Sequence, residues 1–284
     1  MTAGYRYPFE RRTLRALPPS YAGPIDIWDI DQTYLDTRLG RLRDLVRTAL
    51  ESAADKRARP GVATLLRALR GGAPASPPGG PAAGPVPLFF ISASPPQLRA
   101  VLEEKMRLDG IAWDGIALKD HLALLAARRW RELVRHVAYK LTALLTYRLD
   151  WPPGAREWLY GDDGESDPRI YSLYAGIRAG ELGGEALRAQ LAHSHVTEAD
   201  RHAIVALAAE TARLCPPPPG GSVEGIFILR TRPHGGPDLS EYPRVTVCAD
   251  AAELARELHR RGRIDQQTVE RVTEEVRRAA AAGP

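Results

Sequence analysis

Strands alternating with helices predict an α/β fold, a doubly wound parallel sheet of the Rossmann-like kind. Three observations carry that expectation. Short apolar runs around Ile25, Ile27 and Trp28, at Leu88-Phe89-Phe90-Ile91 and at Trp158-Leu159-Tyr160 are bounded by turn residues, as buried strands are. The stretches between them place apolar residues three and four apart, the period of one helix face. Each run also leads into acidic or hydroxyl residues, which a parallel sheet gathers on one edge, where such folds hold their ligands.

In chain order, residues 1–23 carry Arg6, Arg11, Arg12, Arg15 and Pro18-Pro19 and read as an extension. After the first strand, Leu42, Leu45, Val46 and Leu50 predict a helix over 39–53. Pro60-Gly61 opens a second, with Val62, Leu65, Leu66 and Leu69 on its apolar face; Pro60 suits a first turn, where its missing N–H is no loss. Residues 71–87 are nearly all Gly, Ala, Pro and Ser and read as a surface loop. The run at Leu88 closes in Ser92-Ala93-Ser94-Pro95, and a helix follows over 97–108. A short strand is expected at 115–118, then a mostly helical stretch over 122–149 broken near Tyr139-Lys140. Beyond the strand at 158–160 come helical residues 171–214, a proline breaker at 216–219, strands at 225–230 and 244–248, and a helical end over 251–281. This divides the chain into an extension, a core over 24–175 and 222–284, and a helical insertion at 176–221, with no large cap.

Composition excludes several classes. With 284 residues, 44% hydrophobic and 26% charged, the chain can bury a sizeable core and is neither disordered nor fibrous. No apolar run approaches the roughly 18 residues of a membrane span. The first twelve residues are charged and aromatic with no apolar stretch behind them, so no secretory signal is expected and the location expected is cytoplasmic. A net charge of +4 with the signs intermixed is too weak to argue for nucleic acid, and none is expected as a partner. Cys215 and Cys248 have no CxxC or histidine nearby and read as buried free thiols. The seven histidines form no ligand pattern, and His193 and His195 read as surface residues.

The sharpest chemical feature is Asp29-x-Asp31-x-Thr33 at a strand exit. Residues two apart in extended chain share a face, and a turn after Asp29 is expected to set the two carboxylates to separate roles on one substrate. One carboxylate can then attack phosphorus while the other, protonated, donates to the leaving oxygen. An acidic turn is the plain alternative. Ser92 ends the next strand, where its hydroxyl and the following N–H groups, Ala93 first, suit phosphoryl oxygens; a helix cap is the plain alternative. Gly161-Asp162-Asp163-x-x-x-Asp167 sets three carboxylates at a third exit. Such clustered charge repels itself unless a cation neutralises it, and hard oxygen donors point to Mg²⁺, against the alternative of a solvated loop. Lys140, flanked by apolar residues in Val137-Ala138-Tyr139-Lys140-Leu141, is the candidate fixed cation for a phosphoryl dianion, against a snorkelling surface lysine.

Taken in this order the four features resemble the haloacid-dehalogenase superfamily of phosphatases. Residues 27–33, Pro60-Gly61-Val62, Ile91-Ser92-Ala93-Ser94-Pro95-Pro96-Gln97-Leu98, Leu118-Lys119-Asp120 and the run from Gly161 through Asp167-Pro168-Arg169-Ile170-Tyr171 resemble, within it, the actin-patch-type phosphatidate phosphatase catalytic domain. That branch shows Asp-Ile-Asp-Asp-Thr, Ser-Ala-Ser-Pro-Trp-Gln-Leu and Gly-Asp-Ser-Gly-x-x-Asp-Pro-x-x-Tyr. Here Gln32 stands for an Asp, Pro96 for a Trp, Tyr139 for the His before the Lys, and Asp163 for a Ser.

The resemblance implies an Mg²⁺-dependent phosphatase that works through an aspartyl phosphate on a phosphomonoester, phosphatidate or another bulky one. It implies Asp29 as nucleophile and Asp31 as general acid and base. Ser92 and Lys140 would hold the transferring group, with Thr33 and Ala93 also on the substrate. Asp162 would ligate the metal with the Asp29 carboxylate and the Asp31 carbonyl, and Asp163 and Asp167 would hold its waters or Lys140. Competing readings are a silent binding or regulatory protein on the same fold, and a phosphatase of a soluble metabolite or phosphoprotein. Arg128-Arg129-Trp130-Arg131 with Arg135 fits peripheral contact with anionic lipid or a phosphorylated polymer, and a solvated helix face is the plainer reading.

Overall fold

In a computed structural model, which describes residues 7–36, 53, 56–71, 84–164, 166–231 and 236–282, the chain forms a seven-stranded sheet covered by helices on both faces. The strands are β1 (Phe9–Thr13), β2 (Pro24–Trp28), β3 (Leu88–Ser92), β4 (Gly115–Lys119), β5 (Arg156–Asp162), β6 (Val223–Leu229) and β7 (Val245–Cys248). Their order is β1-β4-β3-β2-β5-β6-β7, parallel throughout except for β1. The chain runs outward from β2 through β3 to β4, then returns to lay β5 on the other side of β2. The strand order therefore reverses at β2, and the exit of that strand is the switch point at which such sheets bind ligands.

Both faces of the sheet are apolar, which is why the central strands read as continuous hydrophobic runs. Ile25, Ile27, Phe89, Ile91, Leu159, Ile226 and Ile228 face one layer of helices: α4 (Val137–Asp150), α5 (Asp167–Arg178), α6 (Gly184–His193) and α7 (Glu198–Leu214). The alternate residues Trp28, Leu88, Phe90, Tyr160, Phe227 and Leu229 face the other: α1 (Val62–Gly71), α2 (Arg99–Leu108), α8 (Ala251–Arg260) and α9 (Gln266–Ala282). A short helix α3 (His121–Ala126) follows β4, and 3-10 turns occupy Pro96–Leu98 and Trp130–Leu133. No helix among the described residues is long and apolar enough to cross a membrane. Cys215 and Cys248 are buried free thiols, and His193 and His195 lie on the surface.

Several boundaries differ from the sequence reading. The leading segment is not only an extension, because Phe9–Thr13 pairs antiparallel with β4 as an edge strand. Its Phe-Glu-Arg-Arg-Thr sequence lacks an apolar alternation, and charged side chains are what a protected edge displays. The break expected at Tyr139-Lys140 falls earlier, between α3 and α4. Arg128 takes a left-handed φ of 56° there, and the Lys119 ammonium donates to the carbonyls of Leu133 (3.1 Å) and Arg135 (2.7 Å). Helix α4 then runs unbroken through Tyr139 and Lys140, both fully buried. The helical stretches expected at 171–214 and 251–281 are three helices and two. All but residue 53 of the helix expected over 39–53, and most of the 71–87 loop, lie outside the described residues.

Candidate active site

The period-two alternation of β2 continues past its last paired residue and sets the first carboxylate. Ile25 and Ile27 face the α4 layer, and Asp29 follows in the same phase, its N–H still donating to the Tyr160 carbonyl at 2.9 Å. The chain then closes on itself. The N–H groups of Tyr34 and Leu35 both reach the Ile30 carbonyl, and Gln32 sits at φ 60°, the left-handed region a tight turn demands. This turn sends the two acids to different partners. Asp29 Oδ1 accepts from Lys140 Nζ at 2.8 Å, and Asp31 Oδ2 accepts from the hydroxyls of Ser92 (2.8 Å) and Ser94 (3.1 Å).

Lys140 is delivered from the first turns of α4, fully buried, and also donates to Asp167 Oδ1 at 2.6 Å. Asp167 opens α5, where its negative charge suits the helix N-terminus. Asp162 ends β5, buried, with its Oδ1 accepting from the Gly164 N–H at 2.6 Å. Gly161, just before Asp162, must lack a side chain. A Cβ there would stand 2.8 Å from the Tyr171 ring and collide with the Asp167 carboxylate. Burial, with the Asp167 charge as the next cause, holds the Tyr171 phenol well above its ordinary pKa, so it stays a neutral wall.

Carboxylate oxygens of Asp29, Asp162 and Asp167 lie within 4.8 Å of one another, all buried. Lys140 donates to two of these carboxylates, and the Arg59 guanidinium interacts with the charge of the third, Asp162. A divalent cation fits that donor set of hard oxygens.

Not every expected residue points into this cluster. Thr33 is buried, and its hydroxyl donates to Asp29 Oδ2 at 3.2 Å, an orienting contact. Asp163 faces the loop after β6, accepting at Oδ1 from the Thr231 N–H (2.7 Å) and hydroxyl (2.8 Å) and at Oδ2 from Arg230 (3.0 Å). Ala93 is buried between Ser92 and Ser94, with His121 bonded to its backbone. Three contributors were not assigned from the sequence. Ser94 had a signal, since residues two apart in extended chain share a face and so follow Ser92 onto Asp31. Arg230 had none. Nor had Arg59, whose guanidinium joins the Gln32 carbonyl and the Arg230 carbonyl at 2.6 Å each and so ties the loop after β2 to the loop after β6.

The family described as phosphatidate phosphatase APP1, catalytic domain, matches residues 26–182, a span that holds every residue of this cluster. Neither a curated protein nor a solved structure matches the chain.

Proposed function

The chain belongs to the family of the phosphatidate phosphatase APP1 catalytic domain, a phosphatase family, and from that premise we propose that it hydrolyses a lipid phosphomonoester through an aspartyl phosphate on Asp29. The observation that carries the reading is the division of labour between Asp29 on Lys140 and Asp31 on two serines. The order of these groups along the chain, with Asp162 after them, supports the haloacid-dehalogenase type of chemistry.

In this mechanism an Asp29 carboxylate oxygen attacks phosphorus, the bond to the leaving alkoxide breaks, and Asp31 delivers the proton that alkoxide needs. Asp31, now ionised, takes a proton from water as the water attacks the acyl phosphate, which regenerates Asp29 and releases phosphate. The Ser92 and Ser94 hydroxyls fix the Asp31 carboxyl, and Thr33 fixes Asp29. Lys140 offsets the charge on the phosphoryl oxygens, and Asp167 holds the lysine in place. Ser92, Lys140 and the Ala93 N–H are the substrate-facing groups in this reading. Asp29, Asp162 and Asp167 would hold a divalent cation, Mg²⁺ by donor type, with Asp31 contributing its main-chain carbonyl and Asp163 steadying the loop from outside. When bound, the ion neutralises phosphoryl charge that a single lysine cannot.

We assign residues 24–175 and 222–284 to the phosphatase core and 176–221 to a helical insertion, whose α7 packs along α4 and carries α6. Phosphatidate, the substrate by which the family is described, is the first candidate. Phosphate release should be measured with Mg²⁺ against phosphatidate, sugar phosphates, nucleotides and phosphopeptides. Phosphatidate is expected to exceed the small sugar phosphates by about tenfold in kcat/KM, some 1.4 kcal/mol of transition-state binding. Equal or better turnover of a sugar phosphate would assign a soluble substrate, and no phosphate release from any of them would leave a binding protein on this fold.

A further inference from the structure

Among the described residues, large apolar side chains are exposed at Leu14, Leu108, Leu122, Trp130, Val134 and Leu214. Half of these fall in one short segment between β4 and α4: Leu122 is 59% exposed, Trp130 62% and Val134 73%. The same segment shows solvent two arginines, Arg128 and Arg131, neither of them in an ion pair among the described residues. Its acids do not balance them. Asp120 is occupied as the cap of α3, accepting from the Ala123 N–H at 2.9 Å, and Glu132 is 2% exposed. The outward surface is therefore apolar and cationic at once.

This surface is built in place. Lys119 holds the turn from beneath through the Leu133 and Arg135 carbonyls, Arg135 donates to the His195 carbonyl at 2.8 Å, and Arg129 turns back to pair with Asp200 and stack on Tyr7. The segment also lies beside the catalytic cluster at both of its ends. At its start the Lys119 N–H bonds the Ser94 carbonyl at 3.2 Å, and at its end α4 carries Lys140 in its first turns.

We infer that the segment from α3 to the start of α4 docks this chain onto an anionic lipid bilayer, with Trp130, Val134 and Leu122 entering the interface and Arg128 and Arg131 meeting lipid phosphates. A tryptophan flanked by arginines is the side-chain set that water–lipid interfaces favour, because the ring settles at headgroup depth while the cations stay hydrated. The inference deepens the proposed function by naming where the substrate is presented, and it rests on that reading only for the substrate.

The test uses the full chain and vesicles of phosphatidylcholine with phosphatidylserine, free of any lipid phosphomonoester, so that binding reports docking and not occupancy of the active site. Co-sedimentation is expected and should weaken with salt. Trp130→Ser with Val134→Ser should weaken it by about tenfold or more, and Arg128→Gln with Arg131→Gln by about tenfold on anionic vesicles only. Both double variants should hydrolyse soluble para-nitrophenyl phosphate as the parent does and lose vesicle-presented phosphatidate in proportion to binding. Absent binding by the parent chain, or binding by both variants equal to the parent's, overturns the inference. So does a lipid-free dimer that the same substitutions dissolve, which would assign the face to a second copy. Vesicle binding without hydrolysis of either substrate would keep the docking surface and remove the phosphatase reading, and hydrolysis of para-nitrophenyl phosphate without vesicle binding would do the reverse.

Discussion

Two buried ionic clusters stand on the same three elements, at opposite ends of the sheet. Helix α4 carries Lys140 near its start and Arg148 roughly two turns, about 12 Å, further on. Strand β5 begins near Glu157 and ends at Asp162, and α5 opens with Asp167 and closes with Tyr174 and Arg178. At the far end Glu157 accepts from Arg148 (3.3 Å), Tyr174 (2.9 Å) and Ser222 (2.6 Å), while Arg178 bonds Ser222 (3.0 Å) and the Cys215 carbonyl (2.9 Å). Every acid there has its cation. At the near end Lys140 donates to both Asp29 and Asp167, with the Asp162 carboxylate beside them. The same scaffold thus holds one cluster gathered around a single acid, which fixes structure, and one that gathers three carboxylates around a lysine, which is suited to a cation and a phosphoryl group.

Breaking each cluster in turn should separate those roles. The largest effect is expected from Asp29→Asn, which should lower kcat by about a thousandfold or more, some 4 kcal/mol in barrier, because an amide cannot form the acyl phosphate. Its thermal unfolding should stay close to the parent's, and parental turnover would remove the nucleophile assignment. Glu157→Ala should do the opposite. Leaving Arg148 buried without its acid is expected to cost about 3–5 kcal/mol of stability in denaturant titration, with kcat/KM per folded molecule unchanged. A loss of activity without a loss of stability would erase the distinction between the two ends.

His121 sharpens the comparison as a buried base kept neutral instead of paired. Burial first, and the Lys119 charge second, push its pKa from 6.5 down to about 4. The unfolded chain therefore binds the extra proton in that window, and stability should fall as pH drops from about 6.5 to about 4, by about 3 kcal/mol in all. His121→Gln should flatten that part of the acid profile, and a variant whose profile matched the parent's would show that other groups set it. The smallest effect concerns the metal. Asp162→Ala should weaken Mg²⁺ activation by about a hundredfold, or 2.7 kcal/mol, and Asp163→Ala by about tenfold at most, because Asp163 is held by Arg230 and Thr231. Magnesium titrations of activity and of melting temperature decide this, and equal losses in the two variants would place Asp163 among the ligands.

Much of the near cluster was legible because its signals are local. A strand exit followed by Asp29-x-Asp31, Ser92 and Asp162 is a pattern in consecutive residues, and β-strand phase alone puts Asp29 on the α4 side. Edge strand β1 was not legible, since the Phe-Glu-Arg-Arg-Thr segment has no hydrophobic period and becomes a strand only through β4. The α3 to α4 break was misplaced for a similar reason, as it is set by Lys119 reaching two carbonyls that lie far along the chain.

By itself, then, the sequence determined the α/β class, the runs of apolar residues that become strands buried on both faces, and which acids and hydroxyls crowd the strand exits. These follow from periodicity and burial, which act over neighbouring residues. Only the tertiary structure decided which of those acids share a cation, that Thr33 orients Asp29, that Asp163 turns away to Thr231, and that Arg148 meets Glu157 while Lys140 meets both Asp29 and Asp167. Charge balance in a low-dielectric interior is a sum over groups brought together from distant segments, and no local pattern encodes that sum.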